Sequence, residues 1–194
     1  YFSTVDEESV KFERINTLIH KSSQDASSFV AKEIIDLVLH RQKEGKKVVL
    51  GLATGSTPIK VYDYLVKAHK EKGVSFSNVI TFNLDEYFPM DGSSIHSYKR
   101  FMKEHLFEHI DIPEEQIHLP NGLINKEDIK KYSQNYEQRI KEAGGIDIQI
   151  LGIGRTGHIG FNEPGSSLSS KTRMVRLDRM TMLDAASDFF GKEN

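Results

Sequence analysis

The chain has 194 residues, 26 Lys+Arg against 28 Asp+Glu, and 38% hydrophobic residues, a profile that excludes disorder and fibres and fits an ordinary globular protein of one domain or a tight pair. A net charge of −2 with both signs interleaved leaves no basic stripe for phosphodiesters, so no nucleic-acid partner is expected and a small molecule is favoured. The absence of cysteine removes disulfides, a thiolate nucleophile and cysteine-based metal sites, and it points to the cytoplasm.

No apolar run, Val48–Leu50 and Ile148–Leu151 included, approaches the roughly 20 residues of a membrane-spanning helix, so no membrane partner is expected. The start, YFSTVDEESVKFER, lacks an initiator Met and an export pattern, and the end breaks off just after Phe189-Phe190. These features predict a single domain over residues 1–194 that forms the N-terminal part of a longer chain, with 1–22 as an extension.

From about Asp25 to Lys43, Ala26, Phe29, Val30, Ile34, Leu37 and Val38 recur at three- and four-residue spacing, the stripe of an amphipathic helix that Gly45 closes. KKVVLGLATG then reads as a strand buried on both faces. Ser56 to Lys72 reads helical, a strand is predicted near Val79 to Phe82, and Ser97 to His109 and Lys126 to Ala143 read helical. IDIQILGIG is the third buried strand. Strands alternating with long helices imply crossovers and a parallel sheet, hence a doubly wound, mainly parallel α/β fold with helices on both faces, Rossmann-like and expected to be incomplete at the C-terminus. In such sheets ligands bind beyond the carboxyl ends of the strands.

Three loops follow those ends. The first, Thr54-Gly55-Ser56-Thr57 before Pro58, offers hydroxyls and helix-terminal N–H groups suited to a phosphate; a plain Ser/Thr helix cap is the other reading. The second holds Asp85, Glu86 and Tyr87. Adjacent residues point different ways, so one carboxylate should face a pocket while the other pairs or caps nearby; a solvated acidic turn is the alternative. In the third, Gly152, Gly154, Gly157 and Gly160 allow close approach of a ligand, and His158 and Glu163 bracket a proton-transfer site, against the reading of a core histidine.

Other features read as structural. His105 and His109 have i, i+4 spacing without a metal-binding HExxH frame, so no metal is expected. The Tyr98, Phe101, Met102 and Leu106 stripe is expected to face the core.

Together, GLATGSTP, then TFNLDEY with SYKRFM, then GIGRTGHIGFNEPGSSLSSKTR resemble the glucosamine-6-phosphate deaminase (isomerase) family, in order and spacing, from about Ser23 to Phe190. The resemblance implies conversion of glucosamine 6-phosphate and water into fructose 6-phosphate and ammonium with no metal or organic cofactor, in a homo-oligomer that binds a sugar phosphate. It places Asp85 on the proton-shuttling carboxylate, His158 on the ring-opening histidine and Glu163 on its supporting carboxylate. Thr54, Gly55, Ser56 and Thr57, with Gly154, Arg155, Thr156 and Gly157, become the candidate substrate- and phosphate-binding set. Two positions depart from the pattern: Thr156 stands where many members carry an aspartate, and Asp188 where an arginine precedes the Phe-Phe pair. These departures also fit a non-catalytic amino-sugar-phosphate sensor, and the shared architecture also fits a 6-phosphogluconolactonase-like hydrolase.

Overall fold

The structure, a computed structural model, describes residues 15–183; Asp188, Phe189 and Phe190 lie outside that range. Its centre is β1 (Val48–Leu52), in which every residue is buried. Alternation along a strand sends Val48, Leu50 and Leu52 into one apolar cluster and Val49 into another, so both faces of the sheet are covered. The larger cluster joins them to Ile34 and Val38 of α1 (Ser23–Lys43), Val61 and Leu65 of α2 (Ser56–Lys72) and Met102 of α3 (Tyr98–His105). The smaller one packs Val49 and Phe82 against Tyr136 of α4 (Ile129–Glu142).

β2 (Val79–Asn83), β3 (Ile117–His118) and β4 (Ile148–Gln149) complete a four-stranded sheet in the order β3-β2-β1-β4, with every pairing parallel. This is the expected doubly wound α/β architecture. Ser22 caps α1 by accepting from the Asp25 backbone N–H at 3.1 Å and donating to the Asp25 carboxylate at 2.8 Å, which starts the helix slightly before the stretch read from its apolar stripe.

Three elements differ from expectation. The helix predicted over Ser97 to His109 ends at His105, because Leu106 leaves the helical region (φ −142°, ψ −62°) and a 3₁₀ turn covers Phe107–His109. IDIQILGIG is not a buried strand along its length: only Ile148–Gln149 joins the sheet, Ile153 makes an isolated antiparallel bridge to Ile159, and Leu151 and Ile153 are 51% and 80% exposed. β3 carries only two residues, aligned through Thr81↔Ile117 and Phe82↔His118, too few to show a period.

Candidate functional site

The register brings the three loops to one edge. Leu52 aligns with Asn83, and the Leu84 N–H donates to the Leu52 carbonyl at 3.1 Å, so the first two loops leave the sheet at the same level. β4 pairs beside Gly51, which delivers the third loop to the same carboxyl edge.

In the first loop the Tyr62 hydroxyl, buried in α2, donates to the Ala53 carbonyl and pins the strand end. Gly55 is the N-cap of α2 with φ +99°, a left-handed backbone that favours glycine, and no side chain caps that terminus. The Ser/Thr-cap reading of the loop is therefore set aside. Ser56 and Thr57 are exposed on the first turn and Thr54 is half-buried.

In the second loop the two carboxylates divide their work as alternation requires. Glu86 turns to α3: its carboxylate accepts from the Ser97 hydroxyl (2.8 Å) and from the backbone N–H groups of Tyr98 (3.1 Å) and Lys99 (3.0 Å), the last of which the Ser97 N-cap hydroxyl also accepts at 3.0 Å. Asp85, with Tyr87, Gly160, Phe161 and Tyr132, lines a cleft of about 640 Å³ whose wall Glu86 also reaches, a volume within the range of small-molecule pockets. Burial, reinforced by the nearby Glu86 charge and only partly offset by a hydrogen bond from the Phe161 backbone N–H, pushes the Asp85 carboxyl up to about 7.

In the third loop the His158 ring folds over Gly154, whose N–H donates to the His158 carbonyl at 2.8 Å. A Cβ at position 154 would lie 2.0 Å from the ring, so the glycine is what admits it. Thr156 Oγ1 sits 2.9 Å from His158 Nδ1 and donates to Glu163 Oε2 at 3.3 Å. Glu163 also accepts the Asp178 backbone N–H at 3.0 Å. A Thr181 hydrogen bond, with those from Asp178 and Thr156, holds its carboxyl below the ordinary range. Gly157 lies in the turn between Thr156 and His158, and Arg155 is exposed at its rim.

His158, Thr156 and Glu163 thus form one hydrogen-bonded cluster, and Asp85 meets the same loop at Phe161. Neither His158 nor residues 54–57 line the cleft that contains Asp85. Among the described residues no group of three or more His, Asp and Glu side chains could hold a metal ion. Because α3 stops at His105, the i, i+4 relation with His109 does not exist, and His109 Nε2 instead bonds the Glu104 carbonyl at 2.8 Å.

Two further residues bind the site together. Tyr98 belongs to the site and not to the apolar core that Phe101, Met102 and Leu106 of its expected stripe join: its hydroxyl donates to the Tyr87 hydroxyl at 3.0 Å and bonds the Thr54 side chain. Tyr87, Tyr98 and Phe161 stack at 4.8 to 5.9 Å between centroids. Tyr98 therefore touches all three loops, and its place in SYKRFM directly after the Ser97 cap was the available signal. Thr181, 6% exposed and 3.2 Å from His158 Nδ1, gives no local signal because only tertiary folding brings it there.

Residues 21–176 match the family of glucosamine-6-phosphate isomerases and 6-phosphogluconolactonase. The chain belongs to that family. Relatives within or close to it include a glucosamine-6-phosphate deaminase-like protein of Bacteroides thetaiotaomicron, 44% identical over 95% of this chain and 28% of its own length. A glucosamine-6-phosphate deaminase of Oceanobacillus iheyensis is 48% identical over 86% of this chain and 64% of its own length. Among solved structures, a monomeric glucosamine-6-phosphate deaminase aligns at TM-score 0.79 and 38% identity, over 85% of this chain and 66% of that one. A 6-phosphogluconolactonase from Plasmodium vivax aligns at 0.63 and 28%, over 82% and 57%. The chain thus spans less than two thirds of the length of these curated relatives. Among the described residues of this isomerase-family chain, no helix is long and apolar enough to cross a membrane.

Proposed function

We propose that this region carries the acid/base chemistry of a glucosamine-6-phosphate deaminase: glucosamine 6-phosphate and water give fructose 6-phosphate and ammonium. The supporting observation is the Asp85 carboxyl, drawn back at the carboxyl edge of β2 and raised to about 7, because a proton shuttle works best when its pKa lies near the operating pH.

His158, supported through Thr156 and Glu163, opens the sugar ring. Asp85 then takes the proton from C2 of the open-chain aldehyde; the C2–H electron pair forms a C1=C2 enolamine as the C1 carbonyl oxygen takes a proton from the C2 ammonium and becomes a hydroxyl. Asp85 returns the proton to C1, leaving an iminium at C2. Water adds there and ammonium leaves, giving the ketone. Thr54, Gly55, Ser56 and Thr57 hold the phosphate at the start of α2, whose N-terminus no side chain caps. Gly154, Arg155, Thr156 and Gly157 border the sugar, and no step needs a metal or organic cofactor.

Ammonium release from glucosamine 6-phosphate by the full-length protein, beside its Asp85→Asn variant, tests the reading: release that disappears in the variant supports it, and equal release overturns it. The family's second named activity, together with the lactonase likeness at TM-score 0.63, motivates one competing reading. Hydrolysis of 6-phosphogluconolactone without ammonium release would select it. The homo-oligomer is a separate proposal, read by light scattering. A monomer, the state named for one solved relative, overturns it.

A further inference from the structure

We propose that Thr156 and Thr181 act as a pair of hydroxyl relays that lock the His158 tautomer, keeping its proton on Nδ1 and the lone pair on Nε2. The functional meaning rests on the reading of His158 as the ring-opening group.

Thr156 Oγ1 touches both His158 Nδ1 (2.9 Å) and Glu163 Oε2 (3.3 Å). Thr181 Oγ1 touches the same Nδ1 (3.2 Å) and also bonds Glu163. An ionised carboxylate only accepts, and each hydroxyl has a single proton. Both hydroxyls must therefore donate to Glu163, so each presents only lone pairs to the ring. All contacts are satisfied together when Nδ1 carries a hydrogen shared between the two oxygens. The other tautomer forces one hydroxyl to turn its proton to Nδ1 and to face the carboxylate with a lone pair, which loses a charge-assisted bond. A ring nitrogen's protonation is set by what its partner nitrogen meets, and here that setting reaches His158 indirectly from Glu163.

The arrangement gives Thr156 a task that an aspartate would perform directly, and it recruits Thr181 from 23 residues downstream as a second relay. Thr181 is a positioning residue: it touches the imidazole and not the sugar. With Nε2 unprotonated, the ring can take the anomeric hydroxyl proton from O1. The C1–O5 bond then breaks with its electron pair going to O5, a C1=O1 bond forms, and the proton passes from Nε2 to O5. No co-reactant is consumed. The transient imidazolium keeps both threonine oxygens as acceptors on Nδ1–H, with the Glu163 charge behind them.

The test is long-range ¹H–¹⁵N NMR of histidine-labelled full-length protein at a pH where His158 is neutral, which reads the tautomer without reference to activity. Wild type is expected to show Nδ1–H and a free Nε2. Thr181→Val, Thr156→Val and Glu163→Gln are each expected to mix in the Nε2–H form, and Thr181→Ser to restore the wild-type signature. Thr181→Val should lower kcat on ring-closed substrate about tenfold with KM little changed, and spare an open-chain analogue. A wild-type Nε2–H signature, or tautomers unmoved in both valine variants, overturns the proposal. Should Thr181→Val fail to fold, wild type and Glu163→Gln decide alone. A locked Nδ1–H tautomer without ammonium release refutes the deaminase reading and leaves the relay standing, whereas ammonium release with the proton on Nε2 refutes the relay alone.

Discussion

The backbone N–H of Phe161 donates to the carboxylate of Asp85, tying the glycine-rich third loop to the end of β2. That bond favours the ionised carboxylate, while burial and the neighbouring Glu86 charge oppose it more strongly and set the balance at about 7. The consequence for activity is a kcat/KM for ammonium release that rises with pH through an inflection near that value, since the base must be ionised to accept a proton. Asp85→Asn should lower kcat by about 10² to 10⁴-fold while leaving phosphate-ligand affinity nearly unchanged.

The same carboxyl makes a second, separable prediction about stability. Unfolded, Asp85 titrates near 3.8, and folded near 7, so the folded state binds the proton more tightly. Its contribution to stability is complete below the unfolded value and is lost as pH rises through the folded one. Asp85→Asn removes that loss. The variant should melt higher than wild type at about pH 8, by on the order of 1–2 kcal/mol once residual solvent access is allowed for, and the gain should vanish near pH 4. Thermal melts at the two pH values check the crossover, and a variant destabilised at high pH would contradict it.

Glu86 should behave in the opposite way. Removing its carboxylate leaves the Tyr98 N–H in the first turn of α3 without its acceptor while the Ser97 hydroxyl still holds Lys99, so Glu86→Ala is expected to cost about 1–2 kcal/mol in denaturant melts. Glu86→Gln keeps one accepting oxygen and removes the charge that helps raise Asp85. The pH–rate inflection should therefore move downward while turnover on the alkaline side is retained. An unmoved inflection would mean that the two carboxylates are not electrically coupled.

The division between these adjacent acids was legible in the sequence, because alternation along an extended chain is a local rule. So were α1, α2 and β1, whose apolar spacing repeats often enough to reveal its period. The two residues of β3 were not: their strand character comes from Thr81 and Phe82 across the gap, and nothing in Ile117-His118 itself encodes it. The apolar run after Ile146 misled in the other direction, since composition marks it as a strand while only Ile148 and Gln149 join the sheet. Tyr98 shows the same limit within the site. Its helical spacing with Met102 reads as core, yet the hydroxyl that matters is placed by Thr54 and Tyr87, residues from two other loops.

Tyr98→Phe isolates that hydroxyl. The ring contacts with Tyr87 and Phe161 survive, and the bonds to Tyr87 and Thr54 do not. A loss of about 1 kcal/mol in stability is expected. Because Thr54 belongs to the proposed phosphate loop, KM for the sugar phosphate should rise more than kcat falls. Steady-state kinetics beside a urea melt separates the two effects, and a fall in kcat alone would place Tyr98 in the proton chemistry and not in positioning.

Gly154→Ala tests how closely the third loop is fitted. A methyl at this position would meet His158 Cε1 at 2.0 Å and Nε2 at 2.1 Å, well inside contact distance. The ring must therefore move, and it cannot do so while keeping Nδ1 on Thr156 and Thr181. Residue 154 sits in a surface loop outside both apolar clusters, so global stability should change by less than about 1 kcal/mol. Turnover of ring-closed substrate should nevertheless fall about 10²-fold, because a displacement of roughly 1 Å in a positioned group is enough to remove that much rate. Turnover close to wild type on the ring-closed sugar would mean that the His158 orientation is not what opens the ring.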